Sequence, residues 1–309
     1  MKFKENPMIY YCISDIHGCL FAFQNALNII TSHLSEENTA LILLGDYIHG
    51  GKENAAVLDK IMELQNRYGS GKVIALLGNH EELVCEGMAS VDACGTGSGD
   101  DDRYVSWLRG LPRYHAAGKT IFVHAGIDEE AEDLWKYGTM DHIFTEKYPA
   151  QTGHFFEDYK IVAGHISTSA IAGDPHFHGI YFDGSSHYYI DADTVATGFL
   201  NILKVNTETQ EYFAVTDAGE FPVLPYDKIF LHNSARFGHT ESVPFAGTCG
   251  GNFFQNWSDH YGDQKEKQQH SLFRDPVQAQ HGQRKLLRSG LHLCGHSRIQ
   301  PHCTGMHQL

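Results

Sequence analysis

Positive charge is scarce in this chain: 23 Lys+Arg stand against 38 Asp+Glu, a formal net charge of −15 over 309 residues. Nucleic acid is therefore not expected as a partner, because gripping a phosphate backbone rests on clustered cations. The imbalance is uneven, since residues 1–225 hold 14 Lys+Arg against 32 Asp+Glu whereas residues 226–309 hold 9 against 6. No apolar run approaches the roughly 18 residues needed to cross a bilayer. The opening MKFKENPMIYYCIS has two lysines but lacks the apolar stretch of a secretory signal, so no membrane association is expected. Cysteine numbers 7, an odd count without a disulfide-like framework. That fits a reducing compartment, and the cytoplasm is the expected location.

What is present is a core-forming composition and a repeated pattern. A hydrophobic content of 42% suits an ordinary globular domain. Five apolar, strand-like runs, IYYCIS, ALILLG, KVIALLG, KTIFVHA and YKIVAG, each switch abruptly to Gly and a metal-ligand residue type. The side chains at these switches are Asp15 and His17, then Asp46, then Asn79 and His80, then His124, then His165. An open α/β sheet collects its chemistry at the carboxyl ends of its strands, so these groups are expected to converge. Carboxylate, amide oxygen and imidazole without thiolate suit hard or borderline cations such as Mn, Fe, Zn or Mg.

Strand and helix alternate up to about residue 90, with helical spacing in FAFQNALNIITSHL and ENAAVLDKIMELQNRY. Beyond that the chain reads as strand-rich. GLPRYHAAGKTIFVHAG predicts two short strands around Gly118 and Lys119, and from Ile180 the segments GIYFDG, HYYIDAD, GFLNILKVN and EYFAVTD predict hairpins. Asp191 and Asp193 in YYIDAD read as a strand-end turn, with support of the metal ligands from behind as the alternative.

The order D-x-H-G, G-D, G-N-H-E, H-A-G, G-H resembles the calcineurin-like metallophosphoesterases, most of all their serine/threonine-protein phosphatase branch and the related bacterial dinucleoside tetraphosphate hydrolases. The resemblance covers roughly residues 8–215 and implies a four-layer αββα sandwich, two mixed β-sheets flanked by helices. It also implies that Asp15 and His17 hold one divalent metal ion, that Asn79, His124 and His165 hold a second, and that Asp46 bridges them. Mn is the expected metal, with an Fe/Zn pair as the alternative. Two such ions about 3.5–4 Å apart lower the pKa of a bridging water and screen the phosphoryl oxygens, which makes the nucleophile a metal-bridging hydroxide. His80 would donate a proton to the leaving alkoxide, a role suited to an imidazole. Cys12 and Cys19 flank the first pair as rival nucleophiles, but Cys12 lies inside an apolar run and reads as a small buried thiol.

Departures from the family pattern bear on the substrate. The phosphatase branch carries G-D-x-x-D-R-G, whose second Asp orients the acid histidine and whose Arg grips phosphate; here the block runs Gly45-Asp46-Tyr47-Ile48-His49-Gly50-Gly51. A second arginine shortly after a downstream Trp is also absent, the stretch being Trp135-Lys136-Tyr137. Lysine replaces only the charge of a bidentate guanidinium. His49, Lys52 and Arg103 are the candidate substrate-binding groups, and His49 is also a candidate hydrogen-bond partner of His80. The expected function is hydrolysis of a phosphomonoester, with a phosphorylated small molecule, nucleotide or phosphoprotein as substrate. Two alternatives stay open: hydrolysis of a dinucleoside polyphosphate or cyclic nucleotide, and a non-catalytic, metal-bearing protein that binds phosphorylated partners.

Residues 1–225 are expected to form the catalytic domain and residues 226–309 a mobile or loosely packed extension. The extension contains only 11 Ile, Leu or Val, too few to offset the entropy of ordering a backbone of that length. Cys294, His296, His302 and Cys303 form a C-x-H…H-C cluster there whose spacing matches no standard structural zinc pattern.

Overall fold

The computed structural model describes residues 9–92 and 102–227; the 226–309 extension beyond Asp227 and its Cys/His cluster lie outside the described residues. In chain order the elements are β1 (Ile9–Ile13), α1 (Leu20–Ile30), β2 (Thr39–Leu43), α2 (Asn54–Tyr68), β3 (Val73–Ala75), α3 (Asn79–Cys85), α4 (Asp102–Leu108), β4 (Tyr114–Ala117) and β5 (Thr120–Val123). They continue with α5 (Trp135–Gly138), α6 (Asp141–Glu146), β6 (Lys160–Ala163), α7 (Thr168–Ala172), β7 (Tyr181–Phe182), β8 (His187–Tyr189), α8 (Thr194–Thr197), β9 (Leu203–Asn206), β10 (Glu211–Thr216) and β11 (Gly219–Pro222).

Two mixed sheets result. One runs β11-β10-β9-β1-β2-β3, the other β4-β5-β6-β8-β7. Strands β1, β2 and β3 are parallel neighbours in the first sheet, and β5, β6 and β8 in the second. Five of these six, all but β8, are the strands whose carboxyl ends carry the polar blocks.

Side-chain alternation explains the layering. Along β1, Tyr11 and Ile13 join a cluster with Phe23 and Leu27 of α1 and with Val57 and Ile61 of α2, while Tyr10 and Cys12 join Phe122, Val162, Tyr188 and Val205 between the sheets. A strand buried on both faces reads as a continuous apolar run because neither face meets water. On the outer face of the second sheet, Ile121, Val123 and Ile161 pack on Trp135, Phe144 and Phe155. Three apolar layers thus separate four structural ones, giving the expected αββα sandwich. Cys12 is fully buried between the sheets, and burial raises its thiol pKa well above the ordinary value.

The strand-rich reading beyond residue 90 is incomplete. The short helices α4 to α8 interrupt that half, and four to seven residues are too few to display a 3.6-residue period. The chain also changes sheets between β8 and β9, which hairpin spacing alone does not reveal.

Candidate metal centre

The loops after the strands are held in register beyond the strands themselves. Leu44 N–H donates to the Ile13 carbonyl, Asp15 N–H to Gly45, His17 N–H to Asp46 and Gly18 N–H to Tyr47, so the β1 and β2 loops run side by side as an extended ladder. On the other sheet Gly164 N–H donates to the His124 carbonyl. The glycines make room: a Cβ at Gly78 would lie 2.3 Å from Asp46 Oδ1, and one at Gly164 would lie 2.1 Å from Asp15 Oδ2.

Strain is concentrated at the same points. Asp15, His17, Asp46, His49 and His165 all have positive φ, between 49° and 70°. Non-glycine residues persist there only where surrounding contacts over-determine the backbone, and such positions cluster at functional sites.

Asp46 is the hub. One donor group consists of His17, Asp46 and His80, a second of Asp46, His124 and His165, with ligand atoms in each group within 4.8 Å of one another. Its Oδ2 lies 3.8 Å from both His17 Nε2 and His80 Nε2, and its Oδ1 lies 3.4 Å from His124 Nε2. Asp15 is fully buried beside the first group, 3.9 Å from His17 Nε2, and accepts the His165 backbone N–H at 3.1 Å.

Tautomers can be read from the carbonyls behind the rings. His17 Nδ1 lies 2.9 Å from the His49 carbonyl, and His124 Nδ1 lies 3.1 Å from the Leu44 carbonyl. An oxygen that only accepts requires N–H at Nδ1, which leaves Nε2 for the site. Asn79 Oδ1 then faces His124 Nε2 at 3.0 Å and His165 Nδ1 at 3.1 Å. Without a cation the amide must turn over, placing its NH2 3.0–3.2 Å from these nitrogens and both Asp46 oxygens. With a cation, the same converging lone pairs become ligands. The donor set therefore fits divalent metal ions.

The electrostatics match a site awaiting positive charge. Burial pushes the Asp15 carboxyl up to about 7, with the Asp46 charge adding to the rise and His124 opposing it. Burial also acts against ionised Asp46, but His124, His80 and His17 overcome it and hold that carboxyl well below its usual range. Desolvation drives the His80 imidazole down to about 3, so the ring is neutral around pH 7.

The substrate-binding candidates fare differently. His49 is 3% exposed, with Nδ1 2.9 Å from His80 Nδ1 and Nε2 2.8 Å from the Ser90 carbonyl. Both ring nitrogens thus have partners inside the protein. Arg103 is half exposed, ion-paired at 3.0 Å with Asp59 of α2, and lies over the Tyr104 ring. Lys52 is exposed and lies next to Gly51, whose N–H bonds to the His17 carbonyl, so its backbone adjoins the first donor group. Gly50 has φ 101°, and a Cβ there would lie 2.9 Å from Val195 Cγ2, so the family arginine has no unstrained place. Lys136 lies over the Trp135 ring instead of supplying a guanidinium.

Two further buried carboxyls border the site, the Glu of the G-N-H-E block and the first Asp of YYIDAD. Glu81 of α3 is fully buried and bonds to the Asp46 loop, and Asp191, buried just past β8, has its carboxyl pushed well above the usual range by burial and by the Asp15 charge.

Two stacked sheets whose parallel strands end on a shared set of carboxylate, amide and imidazole donors define a metal-dependent phosphoester-cleaving class of protein. The pattern of the calcineurin-like phosphoesterases matches residues 8–207, and the chain belongs to that family. The family generally binds two divalent metal ions. Among curated relatives, the chain is 33% identical over 132 residues to a symmetrical bis(5'-nucleosyl)-tetraphosphatase of Acidovorax sp. strain JS42, covering 39% of this chain and 44% of that protein. It is 28% identical over 173 residues to the enzyme of the same name from Marinomonas sp. strain MWYL1, covering 49% and 60%. The chain thus spans about half the length of these relatives. A cold-active protein-tyrosine phosphatase of a psychrophilic Shewanella sp. shares the fold at 15% identity, with TM-score 0.50 over 71% of this chain and 81% of that one.

Proposed function

We propose that this chain hydrolyses a phosphoester or phosphoanhydride with two divalent ions held by Asp15 and His17, by Asn79, His124 and His165, and by Asp46 between them. The observation that carries this reading is that Asp46 belongs to both donor groups at once. Oxygen and nitrogen donors without thiolate favour Mn, with an Fe/Zn pair second. Bound ions would activate water and neutralise charge on the phosphoryl oxygens.

The chain's own residues do the rest. Carbonyls of His49 and Leu44 fix the ring orientation of His17 and His124, so the ligand nitrogens are presented without reorganisation. His80 Nε2 sits 3.8 Å from Asp46 Oδ2, within reach of a group bound at the centre, and is the atom that exchanges a proton there. Lys52, exposed and adjoining the donor loops through its backbone, is the basic residue assigned to add charge for phosphate.

The sequence alone ranks a phosphomonoester first. The names of the sequence relatives move a dinucleoside polyphosphate ahead of it as the substrate class. A phosphoprotein then becomes the second reading, and the cytoplasm stays the proposed location; no helix among the described residues is long and apolar enough to cross a membrane.

The test is one panel. Purified chain loaded with Mn is assayed on a phosphomonoester, a phosphodiester and a dinucleoside tetraphosphate while bound metal is counted. Turnover of the tetraphosphate above the other two supports the first ranking, and turnover of the monoester alone reverses it. Two bound ions with no turnover on any of the three would leave a metal-bearing binder of phosphorylated partners.

A further inference from the structure

Lys147 reaches back to the loop that follows His124. Its ammonium donates to the Ile127 carbonyl at 2.6 Å and to Glu129 Oε1 at 3.2 Å, while its stem lies so close to Gly126 that a Cβ there would collide with Lys147 Cδ. The ammonium is braced from behind. Glu129 Oε1 also lies 3.0 Å from His187 Nε2, and His187 Nδ1 lies 3.1 Å from both Asp183 Oδ2 and the Gly153 carbonyl. Each of these partners of the ring is an acceptor, so both ring nitrogens carry protons. Charge therefore alternates in sign along Asp183, His187, Glu129 and Lys147, whose side chains are only 1% to 16% exposed. That alternation is what makes burying four charges tolerable. The far end is anchored, since Asp183 Oδ1 accepts the backbone N–H groups of Ser185, Ser186 and His187 in the β7–β8 hairpin.

We infer that Lys147, braced by Glu129, His187 and Asp183, is a positioning residue that holds the loop carrying His124 and thereby sets the affinity of the ion proposed to bind there. The segment grips that loop twice. Lys147 directly follows α6, whose Phe144 carbonyl accepts the Ala125 N–H at 2.8 Å, and the Asp128 N–H beyond is held by Thr139 Oγ1 at 2.9 Å. A shift of the loop would carry His124 Nε2 away from Asp46 Oδ1 and Asn79 Oδ1, now 3.4 and 3.0 Å distant. Asp15 and His17 stand on the loop after β1, in the other sheet. The effect should fall on one ion, not on both.

The consequence for metal rests on the two-ion reading, but the strut does not. Amide exchange in the full-length protein without metal tests the strut. In Lys147→Met, which keeps the stem and removes the ammonium, the Ala125 and Asp128 amides should exchange about 10-fold faster, while the Asp15 and Leu44 amides of the β1–β2 ladder keep their rates. Mn titration of the same preparation tests the consequence. One stepwise dissociation constant should rise about 10-fold and the other stay within about twofold. Lys147→Arg, which restores a cation on a similar stem, should recover both readouts. Glu129→Gln cuts the chain one link further back; it should show the same selectivity at smaller size, and it decides should Lys147→Met fail to fold. Unchanged exchange at Ala125 and Asp128 overturns the proposal. Faster exchange at all four amides, or equal weakening of both ions, overturns it too, because either describes a general loss of stability. Should the wild-type chain bind fewer than two Mn ions while Lys147→Met still loosens only Ala125 and Asp128, the strut stands and the two-ion reading falls.

Discussion

The Glu81 carboxylate is bonded to the backbone of the Asp46 loop: Oε2 accepts the Asp46 N–H at 2.8 Å, and Oε1 accepts those of Tyr47 at 2.8 Å and Ile48 at 3.3 Å. Oε2 also takes the Gly78 N–H at 3.1 Å, so one side chain ties the turn before α3 to the loop after β2. Burial and the Asp46 charge push the Glu81 carboxyl up to about 7. All four partners are donors, however, and the ionised form is the one that satisfies them.

Glu81→Gln is therefore expected to destabilise the fold by about 1–3 kcal/mol, because the amide turns an NH2 group toward N–H donors and leaves buried donors unpaired. Metal content should fall with it, since Asp46 loses the clamp on its backbone. Chemical denaturation and metal counting on the same preparation check both. A variant as stable as wild type, with full metal, would show that the clamp is incidental.

Asp46→Asn should abolish turnover and reduce bound metal from two ions toward one or none. The shared position must supply negative charge to hold two divalent ions close together, and an amide oxygen offers only a dipole. Two tightly bound ions with ordinary activity in this variant would remove Asp46 from the centre.

The five ligand blocks were legible because each sits where an apolar run meets glycine, and parallel strands stop together. What joins them was not. Glu81 reaches residues more than thirty positions away, His49 reaches Ser90 across 41, and no local pattern encodes such bonds. The His187 network was equally hidden, since HYY reads only as a strand.

In that network His187 is 1% exposed, with Nδ1 3.1 Å from Asp183 Oδ2 and Nε2 3.0 Å from Glu129 Oε1. Burial opposes both charges. It is overridden at Asp183 by hydrogen bonds from His187 and from the Ser185, Gly153 and His187 backbone amides, which hold the carboxyl well below its usual range, and at His187 by Asp183 and Glu129, which raise the imidazole. A depressed carboxyl contributes stability above its unfolded pKa of about 3.9, lost as pH falls further; a raised histidine contributes below about 6.5, lost as pH rises through its folded value. Asp183→Asn should thus lower the Tm most between about pH 4 and 6.5, the gap narrowing on either side. Thermal unfolding across that range tests it, and a gap independent of pH would refute the ionic account.

Residues beyond Asp227 are expected to be dispensable for chemistry, since every proposed ligand and both sheets of the described residues precede them. The cut matters. Tyr226 N–H bonds to the Phe182 carbonyl, and the ring lies 4.7 Å from Phe177 and 5.3 Å from Tyr181, so truncation near Val223 would strip contacts from the second sheet. A chain ending at Asp227 should keep the full-length kcat. A folded but inactive truncation would place part of the extension in the site.

His80 distinguishes leaving groups. A proton delivered from its ring matters when the departing oxygen is a poor leaving group. His80→Ala should slow hydrolysis of an alkyl phosphate by roughly 10²- to 10⁴-fold. An activated aryl phosphate should suffer far less, and so should a dinucleoside polyphosphate, whose departing nucleotide phosphate is stable without a proton. Metal content should be unchanged, because the proposed ligand in this block is Asn79, not its neighbour. Single-turnover rates on the three substrates, with metal counted in each preparation, give the comparison. Equal losses on all three at full metal would mean that His80 orients bound phosphate or supports the Asp46 loop through its backbone N–H, 3.1 Å from Oδ1, and transfers no proton.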